Sequence, residues 1–133
     1  MHELSGVNDI ISAKVTPSGY VALASDTDGY KGKVVVYNKS GREIYAWNSG
    51  NGYISDIDIS DNGKCLAVLQ LSTDEKKADT RVVFIDIARG DVLSTCEREN
   101  QMGVNLKFVS SDRVVVVTDN HIAEFGKNGR TFF

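Results

Sequence analysis

The chain has 133 residues, a length typical of one domain, and its 41% hydrophobic and 25% charged residues exclude a disordered chain. No run approaches the roughly 18 apolar residues of a membrane helix. The formal net charge is −3 and the basic residues are scattered, so the electrostatic footprint of a nucleic-acid-binding protein is absent and we expect no nucleic-acid partner.

The first 50 residues alternate between strand-like runs and turns. Residues 10–15 alternate apolar and polar side chains, 16–19 have turn composition, and 20–24 form an apolar run. Strand-like runs at 33–37 and 43–47 follow, separated by the turn sequence 38–41. This order predicts four short antiparallel strands.

The same pattern recurs along the chain. Ile10 aligns with Ile54, and Gly19 with Gly63, each 44 positions later. A third copy follows at a slightly longer offset, with Leu106 below Ile57. Residues 37–42 also match residues 125–130 at 88 positions, which is twice 44. A fixed period indicates a repeat architecture.

A repeated four-stranded unit of this length is typical of a β-propeller blade, because each small sheet must bury its faces against its neighbours. We therefore predict an all-β partial propeller with about three four-stranded antiparallel blades, and prefer it to a β-sandwich, which predicts no period. The expected boundaries are residues 1–9 for the tail of a preceding strand, 10–50 for the first blade, 51–100 for the second and 101–133 for an incomplete third. The charged insert at 72–81 is expected to form a solvated hairpin tip.

Three blades are too few for a closed propeller, which typically has four to eight. The last residue, Phe133, falls where Tyr45 lies in the repeat, and residues 2–133 number 132, which is three times 44. Two chains meeting end to end would complete a six-bladed ring, so we expect a homodimer formed through the open blade ends. The alternative is a fragment of a longer chain.

Residues 29–47, 52–56 and 66–68, with the run from Arg81 to Phe84, resemble an uncharacterised bacterial domain-of-unknown-function family. That family is similar to quinoprotein-like propellers and usually carries an N-terminal membrane anchor. The resemblance implies a propeller fold and a membrane-anchored parent protein, and it implies no activity. The segment 41–47 also resembles a tryptophan-docking signature, in which Trp47 would pack between blades.

The candidate site residues lie on the first strand of each copy. Since side chains alternate along a strand, one face is apolar and the other polar, and the first strand of a blade lines the channel. The polar channel or inter-blade positions are Lys14, Asp56, Asp58, Asn105 and Lys107. One interpretation is a Lys-Asp-Lys charge pattern from Lys14 through Asp58 to Lys107 that orders the blades; the other is a polar channel floor for a small ligand or ion.

Other chemistry has little support in the residues. The aspartates at 56, 58 and 61 lack the spacing of a calcium loop, and Cys65 and Cys96 lack the spacing of a zinc site and are expected to be buried thiols. No nucleophile elbow is present, and His121 is expected at the surface after a tight turn. We expect no cofactor, no metal and no enzymatic activity. The predicted function is a protein-interaction or scaffold module that binds an unknown protein or envelope ligand; the alternative is a small-molecule or carbohydrate sensor that binds at the channel.

Overall fold

The structure, a computed structural model, describes residues 10–27, 30–49, 53–74, 77–98 and 101–129. These residues form eleven β-strands and no helix, which confirms the all-β prediction. The strands are β1 Ile10–Val15, β2 Val21–Thr27, β3 Tyr30–Tyr37, β4 Glu43–Asn48, β5 Tyr53–Ile59, β6 Cys65–Asp74, β7 Lys77–Asp86, β8 Asp91–Arg98, β9 Gly103–Ser110, β10 Arg113–Thr118 and β11 Ile122–Gly126.

The strands form three antiparallel sheets, each with its strands in chain order. The first contains β1 to β4, the second β5 to β8 and the third β9 to β11. We call them blades 1, 2 and 3. The predicted tail at 1–9 and the predicted start of a fourth strand at 131–133 lie outside the described residues.

The register of the ladders shows which residues are equivalent in the three blades. The innermost strands β1, β5 and β9 each carry a bulge near their start, with register shifts after Ile10, after Ile54 and opposite Val117. Such a shared irregularity bends each inner strand at the same place. The turn that follows ends on a glycine in blades 1 and 2, with φ of 96° at Gly19 and 70° at Gly63.

The insert at 72–81 was expected to form a solvated hairpin tip, and it does form the outer part of the β6–β7 hairpin, although Thr80 at its base is buried. The β6–β7 ladder continues without a break to the pair Asp74 and Lys77. The charged segment therefore lengthens a hairpin by strand pairing, because alternating residues in an antiparallel ladder satisfy their own backbone groups regardless of side-chain polarity. The polar composition did not show how far the two paired strands extend into this segment.

Two apolar cores lie between the blades. Between blades 1 and 2, the side chains of Val34 and Val36 pack against those of Ile57 and Leu66. Between blades 2 and 3, Phe84 and Leu69 pack with residues of β9 to β11, including Leu106. Blade 2 thus buries both faces, which is the condition that a small four-stranded sheet needs for stability.

The cysteines and the tryptophan have structural positions. Cys65 and Cys96 are free and buried, as the sequence predicted. Burial raises the pKa of the Cys65 thiol to about 11, so the reactive thiolate is suppressed. Trp47 is half-buried and packs against the core between blades 1 and 2, and Cys96 occupies the equivalent position in blade 2, because Val34 pairs with Trp47 and Val82 with Cys96.

A candidate site at the inner strands

The inner strands present backbone N–H groups toward the propeller axis. Thr16 donates its backbone N–H to the carbonyl oxygen of Tyr20 across the β1–β2 turn at 2.9 Å. In an antiparallel ladder, hydrogen-bonded and non-hydrogen-bonded pairs alternate. The N–H groups of Ala13 and Val15 therefore point away from β2, and the same alternation holds for Leu106 and Phe108 on β9.

Asp56 joins all three blades. Its carboxylate Oδ1 accepts a hydrogen bond from the Ser12 hydroxyl on blade 1 at 2.9 Å and lies 3.5 Å from the Lys14 ammonium nitrogen. Its Oδ2 accepts the backbone N–H of Leu106 on blade 3 at 2.8 Å. The side chain is buried, so these contacts operate where water screens them little.

Asp58 makes a parallel set of contacts with blade 3. Its Oδ2 accepts the backbone N–H of Phe108 at 2.8 Å and lies 3.5 Å from the Lys107 ammonium nitrogen. Its Oδ1 accepts the N–H of Ile59 in its own strand at 2.9 Å. The two aspartates therefore hold the inner edge of blade 3 by accepting N–H groups two residues apart.

The structure divides the predicted charge pattern between two aspartates. Lys107 pairs with Asp58, whereas Lys14 pairs with Asp56 and not with Asp58. The reason is that the two carboxylates face different blades. Oδ2 of Asp58 contacts blade 3, whereas Oδ1 of Asp56 contacts blade 1. Asn105, the equivalent of Asp56 on blade 3, is exposed.

The arrangement is suited to holding blades together. Each of the four carboxylate oxygens of Asp56 and Asp58 already accepts at least one hydrogen bond. Within the described ranges, no group of three or more histidine, cysteine or acidic residues is close enough to hold a metal ion.

A cavity lies beside this cluster at the mouth of the channel. Its volume is about 420 Å³, and the turns after β1, β5 and β9 all contribute to its wall. The polar groups along the wall belong to Thr16, Asp58, Asp61, Asn62, Lys107, Ser110 and Ser111. A site with hydroxyl, amide and ammonium groups from three blades offers several directed hydrogen bonds to one polar ligand.

Sequence reasoning missed a second inter-blade contact, at Thr80 on β7. Its hydroxyl donates to the carbonyl oxygen of Gln101 and accepts the backbone N–H of Gly103, both at 2.6 Å. The signal was hidden because Thr80 belongs to the segment 72–81, which was expected to be a solvated hairpin tip. Gly103 is also needed for space, since a Cβ there would lie 2.9 Å from a Leu69 methyl carbon and 3.0 Å from that of Thr80.

The three sheets and the packing between them have the fold of a partial WD40-like β-propeller, and solved structures agree. A crystal structure of a eukaryotic initiation factor is similar over 100% of this chain and 33% of its own, with a TM-score of 0.72 and 12% identity. The C-terminal WD40 domain of Sif2 is similar over 92% of this chain and 32% of its own, with a TM-score of 0.68 and 14% identity. At these identities the likeness concerns the fold alone.

The chain belongs to a family of unknown function, DUF5711, whose model matches residues 2–131. Hsv2p of Kluyveromyces lactis has a similar fold, with a TM-score of 0.62 and 8% identity over 86% of this chain and 36% of its own. No curated protein matches. The chain spans about a third of the length of the structures it resembles. In the part of the chain that the structure describes, no helix has the length and hydrophobicity to cross a bilayer.

Proposed function

We propose that the chain is a non-catalytic interaction module whose two end blades bind further propeller blades, as part of a larger membrane-tethered protein. The observation that carries this proposal is the exposure of equivalent positions. Val15 on blade 1 is 70% exposed, whereas its equivalent on blade 2, Ile59, is 3% exposed. The position that Ile59 occupies in the core between blades 1 and 2 is therefore exposed to solvent on blade 1.

The other end shows the same contrast at two positions, while Glu124 lies at the position of the buried Phe84. Ile122 and Val117 on blade 3 are 60% and 41% exposed, and the equivalent positions on blade 2, Val82 and Leu69, are fully buried against blade 3. Apolar side chains on one sheet face favour a partner sheet, because burial of a valine or isoleucine stabilises the associated state by about 1.5–3 kcal/mol. The Asp56 and Asp58 contacts support the non-catalytic part of the proposal, since their oxygens already hold blade to blade.

Hydroxyl-radical footprinting tests this function. The protein purified with its natural assembly intact is compared with the isolated chain, and oxidation is measured at Val15, Val117 and Ile122. We expect protection of all three residues in the natural assembly and equal oxidation at His121, an exposed residue in the β10–β11 turn. Equal oxidation of the three valine and isoleucine positions in both samples would refute the proposal.

The cavity at the channel mouth supports a second candidate function, a sensor for a small polar ligand or carbohydrate. Its wall combines polar groups from the turns of all three blades. A ligand that binds the folded state raises its melting temperature. A thermal-shift screen of sugars and small polar metabolites should then give a shift that Asn62→Ala and Ser111→Ala weaken, while a screen without any shift contradicts a sensor for those compounds.

A further inference from the structure

One of the two junctions in the chain has contacts that match the donors on its open end, whereas the junction of blades 1 and 2 has Ser12 and Lys14 in place of the carboxylates. At the junction of blades 2 and 3, two carboxylates from the inner strand of one blade accept the outward N–H groups of the next inner strand, Leu106 and Phe108. Charge assistance makes such bonds shorter and about twice as strong as neutral ones. The junction therefore depends on acidic residues at the positions of Asp56 and Asp58.

Blade 1 carries the matching donors on its open side. The ladder registers make Ala13 and Val15 the equivalents of Leu106 and Phe108, because Ala13 pairs with Leu23 and Val15 with Val21 as Leu106 pairs with Val116 and Phe108 with Val114. Among the described residues, no side chain accepts a hydrogen bond from these two N–H groups. Lys14, between them, is the equivalent of Lys107, which pairs with the carboxylate of the preceding blade, whereas Lys14 pairs with Asp56 of the following blade.

Resting on the proposed interaction function, we propose that the partner of blade 1 is a propeller blade whose inner strand carries two carboxylates two residues apart, at the positions of Asp56 and Asp58. These carboxylates would accept the N–H groups of Ala13 and Val15. The apolar face around Val15 would be covered by the same blade.

A second copy of this chain does not have that chemistry. Its blade 3 carries Asn105 and Lys107 at the two positions, as the pairing of Asn105 with Val117 and of Lys107 with Val115 shows. End-to-end association would place Lys107 of one copy next to Lys14 of the other and add no carboxylate beyond Asp58 and Asp56, which already pair with these lysines. Like charges at a close junction oppose association. The charge pattern thus favours a different blade over a second copy.

Changing blade 3 into an acidic blade tests the proposal with the chain itself. The variant Asn105→Asp/Lys107→Asp gives blade 3 the two carboxylates that blade 1 is proposed to bind, so its copies should associate head to tail. Sedimentation velocity over a wide concentration range measures the dissociation constant. We expect association at least about tenfold tighter than that of the natural sequence, which corresponds to about 1.4 kcal/mol.

Two further variants keep the result interpretable. Asn105→Asp alone retains the ion pair between Lys107 and Asp58 and should give a smaller gain in association. It replaces the double variant if that variant has a lower melting temperature than the natural sequence. Adding Val15→Asp places a charge on the open face of blade 1, where the side chain is exposed, and should abolish association without changing the melting temperature.

Each outcome decides the matter. Tighter association of the acidic variants, reversed by Val15→Asp, supports the acidic partner. Folded acidic variants that associate no more tightly than the natural sequence overturn it. Strong dimerisation of the natural sequence also overturns it and favours the end-to-end homodimer, which stays a prediction. Footprinting protection without a gain by the acidic variants would retain the interaction function and reject the acidic partner.

Discussion

Replacement of Asp56 by alanine should destabilise the protein because one carboxylate links three blades. The change removes two hydrogen bonds to a charged acceptor, from the Ser12 hydroxyl and from the Leu106 N–H, and the ion pair with Lys14. Hydrogen bonds to charged groups contribute about 1.5–3 kcal/mol each, or about 3–6 kcal/mol together. Burying the carboxylate offsets part of that gain, so we expect a net loss of about 3 kcal/mol.

Urea denaturation measures this loss. With a slope of about 2 kcal/mol per M, the unfolding midpoint should fall by about 1.5 M. Asp61→Ala is the matched control, because Asp61 lies in the exposed turn after the same strand and accepts from Ser18 through its backbone oxygen. A double-mutant cycle of Asp56→Ala with Ser12→Ala should give a coupling energy of about 1 kcal/mol. If Asp56→Ala costs no more than Asp61→Ala, the inter-blade role assigned to Asp56 is wrong.

Two other replacements test the packing of the blades. Gly63→Ala should lower the free energy of unfolding by about 2 kcal/mol more than Gly90→Ala does. Both glycines have φ near +70°, but only the Cβ at 63 would lie 2.5 Å from the Tyr20 ring. Equal losses in urea denaturation would show that Tyr20 moves aside at no cost. Burial raises the pKa of Cys65 from 9.0 to about 11, so the thiol's stabilising contribution is complete below pH 9 and is lost as the pH rises toward 11. Stability measured from pH 8 to 11 should therefore fall by about 2 kcal/mol more in the natural sequence than in Cys65→Ala, and parallel curves would contradict burial of this thiol in the native state.

The repeat made the fold predictable from sequence. Ile57 and Leu106 recur in phase because each inner strand must present an apolar side chain to the blade before it, and this requirement survives large changes elsewhere. The same two-residue alternation placed the polar residues Asp56 and Asp58 on the opposite side. Secondary structure at 72–81 was not predictable in the same way, because a two-stranded extension satisfies its backbone internally and places no demand on side-chain polarity.

The candidate site was predictable in its residues and only partly in its contacts. Alternation identifies Lys14, Asp56, Asp58 and Lys107, but it does not say which carboxylate each lysine meets. That choice depends on the offset between neighbouring inner strands, which is set by packing between blades. Contacts to backbone N–H groups, such as that of Asp58 with Phe108, cannot be predicted from the side chain of the donor, because every residue except proline has a backbone N–H.

The two junctions also differ in a way that fixes the order of the blades. The registers make Gly32 equivalent to Thr80 and Ile54 equivalent to Gly103. At the first junction the small residue is Gly32, where a Cβ would lie 2.7 Å from the Ile54 side chain. At the second junction the larger side chain is Thr80, and the small residue is Gly103 on the following blade.

Each junction therefore fills one space with one large and one small residue, but on opposite sides. Placing blade 3 directly after blade 1 would bring Gly32 against Gly103 and leave a cavity, and a cavity destabilises a core in proportion to its volume. Complementary size at these positions, together with the carboxylates of blade 2, means that the blades are not interchangeable. This difference also explains why the repeat is regular in its strands yet weak in residue identity: the positions that diverge include those that distinguish one junction from the next.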